Sequence, residues 1–188
     1  RTHGNNLRKS FVDALTELAG EYEDVFLLCG DLGFSVLEPF ALAFPNRFLN
    51  VGVAEQNMTS VAAGLSQEGY NVFTYSIGNF PSLRALEQVR FDVAYHHANV
   101  KVVSVGAGYA YGVLGASHHT TEDVGVMRSI PGIDIWTPAD AVEAKMVARL
   151  MVQHAGPGYI RLNKSGEPLV HDSSFRLNLR PGRFISVK

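Results

Sequence analysis

The sequence predicts an α/β fold, a three-layer, mainly parallel sheet with helices on both faces. Short apolar runs of the kind that form buried strands alternate with longer stretches whose apolar residues recur at helical spacing. This alternation is typical of parallel sheets, whose ligands bind at the carboxyl ends of the strands. The 188 residues, 46% of them hydrophobic, are enough to bury one sizeable core. We therefore predict one domain over residues 1–166, and a tail or linker towards a further domain over 167–188, where the pattern fades.

Six apolar runs are the predicted strands. They lie at 25–29, 48–53, 71–75, 100–105, 133–136 and 159–162. Several are apolar at consecutive rather than alternate positions, which favours strands covered on both faces.

Four stretches between these runs place apolar residues on one face at helical spacing. They cover about 7–18, 58–65, 83–93 and 138–154. Gly20 and Gly69 stand where a glycine commonly follows a helix, and Pro81 suits a first helical turn. Thr137 is the predicted cap of the fourth helix, with Pro138 at its first position.

Composition argues against several classes of function. The net charge is −2 and the basic residues are scattered, so the chain has no basic stripe for nucleic acid. No apolar stretch approaches the roughly 20 residues that span a bilayer, and no secretory signal pattern is visible, which predicts a cytoplasmic protein. Cys29, the single cysteine, ends an apolar run and is predicted to be a buried structural thiol.

A glycine-rich loop, VGAGYAYG at residues 105–112, poses a choice between a phosphate-binding loop and another kind of active-site wall. A dinucleotide-binding loop follows the first strand and leads directly into a helix. This loop follows the fourth predicted strand and continues as irregular sequence, in which Thr120 and Asp123 are the predicted capping pair of a later helix. An active-site wall is therefore the better interpretation.

Several segments together resemble one family. They are GDLGFS at 30–35, NVGVAEQNM at 50–58 with AAGL at 62–65, SHH at 117–119, TPAD at 137–140 and RLN at 161–163. Their order and spacing are similar to those of the pyrimidine-binding domain of transketolase-like, thiamine diphosphate-dependent enzymes. The resemblance extends over about residues 7–163, and GVAEQNM is its most specific part. Deoxyxylulose phosphate synthases and the β subunits of 2-oxo acid dehydrogenases share this domain.

The resemblance implies that Glu55 and His118 are catalytic. In these enzymes the glutamate hydrogen-bonds a ring nitrogen of the aminopyrimidine and favours the tautomer that removes the thiazolium proton. The alternative for Glu55 is an ordinary acid in the first turn of a solvated helix. His118 matches the histidine that contacts substrate hydroxyls and assists proton transfers, and His119 is expected to point elsewhere.

The pyrimidine ring also requires an aromatic face on which to stack. Phe80 is the first candidate and Tyr75 the second, although counting without gaps from Glu55 places the family's aromatic on Pro81. Phe80 could instead join the next helix to the core. Asp31 is expected to border the cofactor or a subunit contact, or to cap its turn.

Substrate binding is implied for three further residues. Arg8, Ser35 and Arg161 stand where transketolases bind a sugar phosphate, although either arginine could instead be a surface ion-pair partner. Two residues of the sugar-phosphate enzymes are absent: the histidine expected near Gly106 and the aspartate expected at Leu114. The resemblance therefore implies a different sugar or keto substrate, phosphorylated or not.

The segment that binds the cofactor diphosphate in this family is missing. That end is held through Mg²⁺ by a G-D-G motif and an asparagine, and neither is found here, so no metal site is predicted in this chain. Adjacent histidines such as His96-His97 diverge and make poor metal ligands. We expect a diphosphate-binding partner chain, most simply in an α2β2 heterotetramer, with thiamine diphosphate between the subunits.

The predicted function is that of one subunit of a split transketolase, which transfers a two-carbon ketol unit from a ketose donor to an aldehyde acceptor. The alternatives are a subunit similar to deoxyxylulose phosphate synthase, a β-like subunit of a 2-oxo acid dehydrogenase, a catalytically silent assembly subunit, and a nucleotide-binding module that uses the glycine-rich loop.

Overall fold

The computed structural model describes residues 6–164 and 166–171, in which six strands form one sheet with every neighbouring pair parallel. The strands are β1 (Val25–Cys29), β2 (Phe48–Asn50), β3 (Asn71–Ile77), β4 (Val100–Val105), β5 (Asp134–Trp136) and β6 (Gly158–Leu162). Their order across the sheet is β2-β1-β3-β4-β6-β5. The predicted α/β fold with a parallel sheet is confirmed.

Helices cover both faces of the sheet. They are α1 (Leu7–Glu21), α2 (Glu38–Ala43), α3 (Glu55–Gln67), α4 (Leu86–Gln88), α5 (Asp123–Arg128) and α6 (Ala141–Gln153). One buried cluster joins α1, α2 and α6 to the sheet, and a second joins α3, α5 and the helical segment Val89–Tyr95 to its other face. Successive residues on β3 divide between the two clusters, since Val72 belongs to the second and Phe73 to the first. The three predicted layers are therefore present.

Two helix ends differ in how glycine is used. Gly69 has φ +95° directly after α3, as predicted for a glycine that ends a helix. The prediction for Gly20 is wrong, because α1 continues through it to Glu21 and Tyr22 closes the helix by donating its N–H to the Leu18 carbonyl. A glycine in the last, exposed turn lowers helix propensity but does not break the hydrogen-bond ladder.

The helix predicted over 83–93 is interrupted. Its backbone forms wide π turns at Phe80–Arg84 and Val89–Tyr95 on either side of the short α4. Pro81 does lie in the first turn, as predicted. Such π turns frequently occur at functional sites.

The predicted cap of the fourth helix is wrong. Helix α6 begins at Ala141, and its cap is Asp140, whose Oδ1 accepts the N–H groups of Val142 and Glu143 at 3.0 and 2.9 Å. Thr137 precedes a proline, which restricts it to extended backbone and moves the start of the helix onward.

Asp140 also binds the start of the predicted tail. Its Oδ2 accepts the N–H groups of Val170 and His171 at 2.9 and 2.8 Å. Residues 172–188 of the predicted tail lie outside the described residues, and the domain boundary stays a prediction.

Strand β2 ends earlier than predicted. Asn50 Oδ1 accepts the N–H groups of Asp31 and Gly52, both at 3.0 Å, and Gly52 has φ +75°. The chain therefore turns at Asn50 instead of continuing as a strand to Val53. No helix among the described residues is both long and apolar enough to cross a membrane.

Candidate active site

The carboxyl edge of the sheet gathers most of the predicted site residues. Asp31 and Ser35 follow β1, Glu55 follows β2, Phe80 follows β3, His118 lies in the long loop after β4, and Arg161 belongs to β6. This is the edge where parallel sheets place their ligands.

Glu55 is a buried carboxyl group at the first position of α3, with 1% of its surface exposed. Its Oε1 accepts a hydrogen bond from Ser76 Oγ at 3.2 Å, and its Oε2 accepts one from Arg84 Nη1 at 3.0 Å. Gly30 lies against it, since a Cβ there would stand 3.3 Å from Glu55 Oε1. Glu55 is therefore no solvated first-turn acid, because three separate segments hold its carboxyl group in place.

An aromatic and a histidine lie beside this carboxyl group. The guanidinium carbon of Arg84 lies 4.3 Å from the centroid of the Phe80 ring. The Phe80 and His118 rings meet edge to face, with centroids 5.2 Å apart at 73°. Ser117 Oγ lies 3.0 Å from His118 Nδ1. The structure thus joins Glu55, Phe80 and His118 in one cluster through Arg84.

Sequence reasoning missed Arg84. It lies within the predicted third helix, where a charged residue is unremarkable, and only its spacing of four residues from Phe80 hints at a shared helical face. Its contact with Glu55 joins residues 29 positions apart, which no local pattern reveals.

Tyr75, the second candidate for a stacking aromatic, lies inside the core. It is 1% exposed and packs in the cluster formed with α1 and α6. Burial raises the pKa of its hydroxyl, an effect that the nearby charge of Arg8 partly opposes. Since neither face of the ring is open, Tyr75 does not offer a stacking surface, whereas Phe80 is half-exposed.

The glycine-rich loop leads into short 3-10 turns, Gly112–Leu114 and Ala116–His118, and not into a helix. Gly106 has φ +92°, and a Cβ there would overlap the Tyr111 ring. This geometry lacks the helix N-terminus that a dinucleotide-binding loop requires. His119 points away from His118, since its ring packs on Tyr109 and its Nε2 lies 3.3 Å from the Gly112 carbonyl oxygen.

Thr120 fastens the far end of this loop. It forms an antiparallel bridge with Gly108, with two hydrogen bonds of 2.8 Å. Its side chain packs on Gly78 so closely that a Cβ there would overlap Thr120 Oγ1. The predicted capping pair of Thr120 and Asp123 is therefore wrong: α5 begins after Glu122, and both residues are buried.

Arg161 is bound within the protein. Its Nε donates to Asp123 Oδ2 at 2.8 Å and its Nη2 donates to the Thr120 carbonyl oxygen at 3.0 Å. Tyr159 also donates its hydroxyl to Asp123 Oδ2, at 2.7 Å. Two of the three guanidinium nitrogens are thus used, and 24% of the side chain is exposed. The structure makes Arg161 a support of the loop that carries His118.

The other predicted substrate residues are more open. Asp31 and Ser35 are exposed and have φ +56° and +64°, a region that non-glycine residues rarely adopt. Asn50 Nδ2 donates to Asp31 Oδ1 at 3.0 Å, and Glu38 Oε1 accepts the Ser35 N–H at 2.7 Å. These bonds hold the unusual backbone. Arg8, on α1, is half-buried beside Tyr75, and its Nε is buried without a hydrogen-bond partner.

Cys29 is buried, and burial raises the pKa of its thiol, as expected for a structural cysteine. His96 is the C-cap of the segment Val89–Tyr95. Within the described ranges 6–164 and 166–171, no group of three or more His, Cys, Asp or Glu side chains is arranged to hold a metal ion.

Comparison with known proteins identifies the family. Residues 4–167 match the model of the pyrimidine binding domain of transketolase. One of the two kinds of chain that form the apulose-4-phosphate transketolase of Phocaeicola vulgatus is 40% identical over 167 residues, which cover 88% of this chain and 54% of that protein. The 6-deoxy-6-sulfo-D-fructose transketolase subunit of a Clostridium species is 40% identical over 157 residues, or 83% of this chain and 49% of that protein.

A solved structure agrees with these relatives. A split-gene transketolase, an inactive β4 tetramer, superposes with a TM-score of 0.84 and 38% identity over 96% of this chain and 58% of that one. The chain spans about half the length of the curated relatives it matches. It belongs to the transketolase family, as a pyrimidine-binding domain.

Proposed function

We propose that this chain is the pyrimidine-binding part of a split, thiamine diphosphate-dependent transketolase that transfers a two-carbon ketol unit from a ketose donor to an aldehyde acceptor. The observation that carries the proposal is Glu55, a buried carboxyl group at the ligand-binding edge beside Phe80 and His118. The relatives named as transketolase subunits support the same reaction class.

The residues suit the pyrimidine half of the coenzyme. Glu55 offers a carboxyl group for a ring nitrogen, Gly30 leaves space above it, and Phe80 offers a half-exposed aromatic face. When bound, thiamine diphosphate supplies the electron sink that allows a carbon–carbon bond beside a carbonyl to break. Asp31, at the turn after β1, would border this site.

The catalytic work of the chain itself is proton handling and orientation. Ser76 and Arg84 hold both oxygens of Glu55, so its carboxyl group keeps one orientation toward the coenzyme ring. His118 would accept a proton from a substrate hydroxyl and return one at a later step, because an imidazole can do both near neutral pH. Phe80 and Ser117 orient the His118 ring.

A partner chain would bind the diphosphate and Mg²⁺. Large apolar side chains stand exposed on the loops around the carboxyl edge, between 71% and 99% of their surface; they are Phe34, Val53, Tyr109 and Val113. Exposed apolar side chains grouped around a site are typical of an interaction surface. We infer that the diphosphate-binding subunit covers this rim, most simply in an α2β2 assembly.

The substrate is proposed to be a sugar or keto compound, phosphorylated or not. Arg8 and Ser35 are the better candidates for an anionic group, because most of the guanidinium of Arg161 is engaged by Asp123 and Thr120. The residues at Gly106 and Leu114 leave the hydroxyl contacts of sugar-phosphate transketolases unfilled.

The proposal is tested by replacing Glu55 with glutamine in the chain co-purified with its native partner. We expect kcat to fall by about two to four orders of magnitude, since glutamine cannot share a proton. Turnover is measured with thiamine diphosphate, Mg²⁺ and a panel of ketose donors by mass spectrometry. Glu68→Gln, at the exposed opposite end of α3, is the matched control and should leave kcat unchanged.

Other outcomes identify the alternatives. Full turnover by the Glu55→Gln complex would indicate a silent assembly subunit. Use of pyruvate as donor would indicate a synthase that makes deoxyxylulose phosphate, and a requirement for a lipoyl carrier would indicate a 2-oxo acid dehydrogenase.

A further inference from the structure

Arg84 makes the two contacts that are expected of the coenzyme pyrimidine. Its guanidinium donates to Glu55 Oε2 at 3.0 Å, and the same planar group lies over the Phe80 ring at 4.3 Å from its centroid. Edge contact with the glutamate and face contact with an aromatic are the interactions that Glu55 and Phe80 are proposed to give the coenzyme ring. A flat cation can satisfy both, because guanidinium stacks on aromatic rings and donates within its plane.

The three side chains differ in their freedom to move. Glu55 is 1% exposed and is also held by Ser76, whereas 47% of the Arg84 side chain is exposed. Phe80 is restrained on another side by the His118 ring. Arg84 is long and unbranched with one end in solvent, so it can leave while the other two stay in place.

We propose that Arg84 competes with the coenzyme pyrimidine for Glu55 and Phe80, and that binding of thiamine diphosphate displaces its guanidinium from both. This inference rests on the proposed function. In the chain without coenzyme, Arg84 compensates the buried charge of Glu55, which would otherwise be costly to the fold. Arg84 therefore stabilises the empty site and lowers the affinity for the coenzyme.

The experiment measures the affinity of the co-purified complex for thiamine diphosphate with Mg²⁺ by calorimetry. Arg84→Met removes the competing cation, and we expect the dissociation constant to fall about tenfold, the combined value of one half-exposed ion pair and one cation–π contact. Arg84→Lys keeps the charge but not the planar face, and we expect a smaller fall.

A second measurement on the coenzyme-free complex accompanies it. Arg84→Met should lower the Tm without coenzyme, and saturating coenzyme should raise the Tm of this variant more than that of the wild type. Arg90→Met is the matched control, because Arg90 is an exposed arginine of the next helical segment that lines a separate cavity with Phe91 and His97. Both its affinity and its Tm should match the wild type.

An unchanged or weaker affinity of the Arg84→Met complex would overturn the proposal, since it would mean that Arg84 stays in place and helps to hold the coenzyme. If the wild-type complex binds no thiamine diphosphate, the proposed function itself fails. The two failures are therefore distinguishable by the wild-type titration.

Discussion

Glu55 and Lys101 are both fully buried charged side chains, but their partners differ in kind. Glu55 is paired with the cationic Arg84 at the carboxyl edge of the sheet. Lys101, on β4, places its Nζ 2.5 Å from the neutral oxygens of Asn99 and Gly156. A charge held only by neutral acceptors keeps a large desolvation cost. The cost at Lys101 makes it a stability liability, whereas the charge at Glu55 is compensated.

Lys101 should make stability depend on pH. Burial lowers the pKa of Lys101 from 10.5 to about 7, against a smaller opposing effect of Asp134. Above pH 7 the unfolded chain therefore binds more protons than the folded chain at this position, so the free energy of unfolding should rise with pH. The contribution of this one group is at most about 1.4 kcal/mol per pH unit.

Urea unfolding between pH 7 and about 8.5 measures this slope. That range lies below the titration of Cys29, Tyr75 and Tyr159, whose pKa values burial raises. Lys101→Met should show a flatter dependence than the wild type. Equal slopes in the two proteins would contradict the assignment.

At the scale of elements, the long loop between β4 and α5 is held at its two ends by different means. Its first part turns at Gly106 and Gly108, which have φ +92° and +59°. Its last part is held by Thr120, which bonds to Gly108 and accepts a hydrogen bond from Arg161. His118 lies two residues before Thr120, so the position of the catalytic candidate depends on this fastening.

Arg161→Met should therefore loosen the loop. We expect faster hydrogen exchange at the Thr120 and Gly108 amides, and a fall in kcat of similar size for phosphorylated and unphosphorylated donors. Arg128→Met, on the exposed surface of α5, is the control and should change neither. A loss confined to the KM of phosphorylated donors, with unchanged exchange, would instead make Arg161 a phosphate ligand.

At the scale of the whole molecule, both faces of the sheet are covered by helices, but its carboxyl edge is rimmed by exposed apolar side chains. The two buried clusters explain how the chain folds, and the rim has no role in either. The rim is therefore the surface where a partner subunit would bind.

Val113→Lys tests this surface, because Val113 is 99% exposed on the loop after β4. The Tm of the isolated chain should stay the same, since the side chain packs on nothing, while affinity for the partner subunit should fall about tenfold or more. Leu42→Lys, at an equally open position on α2, should leave both unchanged. Surface plasmon resonance and thermal melts provide the two readouts, and unaltered partner affinity of the Val113 variant would contradict the rim as the interface.

The sequence by itself determined the order of strands and helices, the parallel sheet and the place of Glu55 between β2 and α3, because apolar periodicity and helix starts are local properties. It also pointed to Phe80 and His118 through a family pattern. Only the tertiary structure decided that Arg84 meets Glu55, 29 positions away, and that Arg161 meets Asp123, 38 positions away. Asp140 rather than Thr137 caps α6. Such choices depend on how separate elements pack, since a polar side chain bonds to whichever group the fold brings within about 3 Å of it.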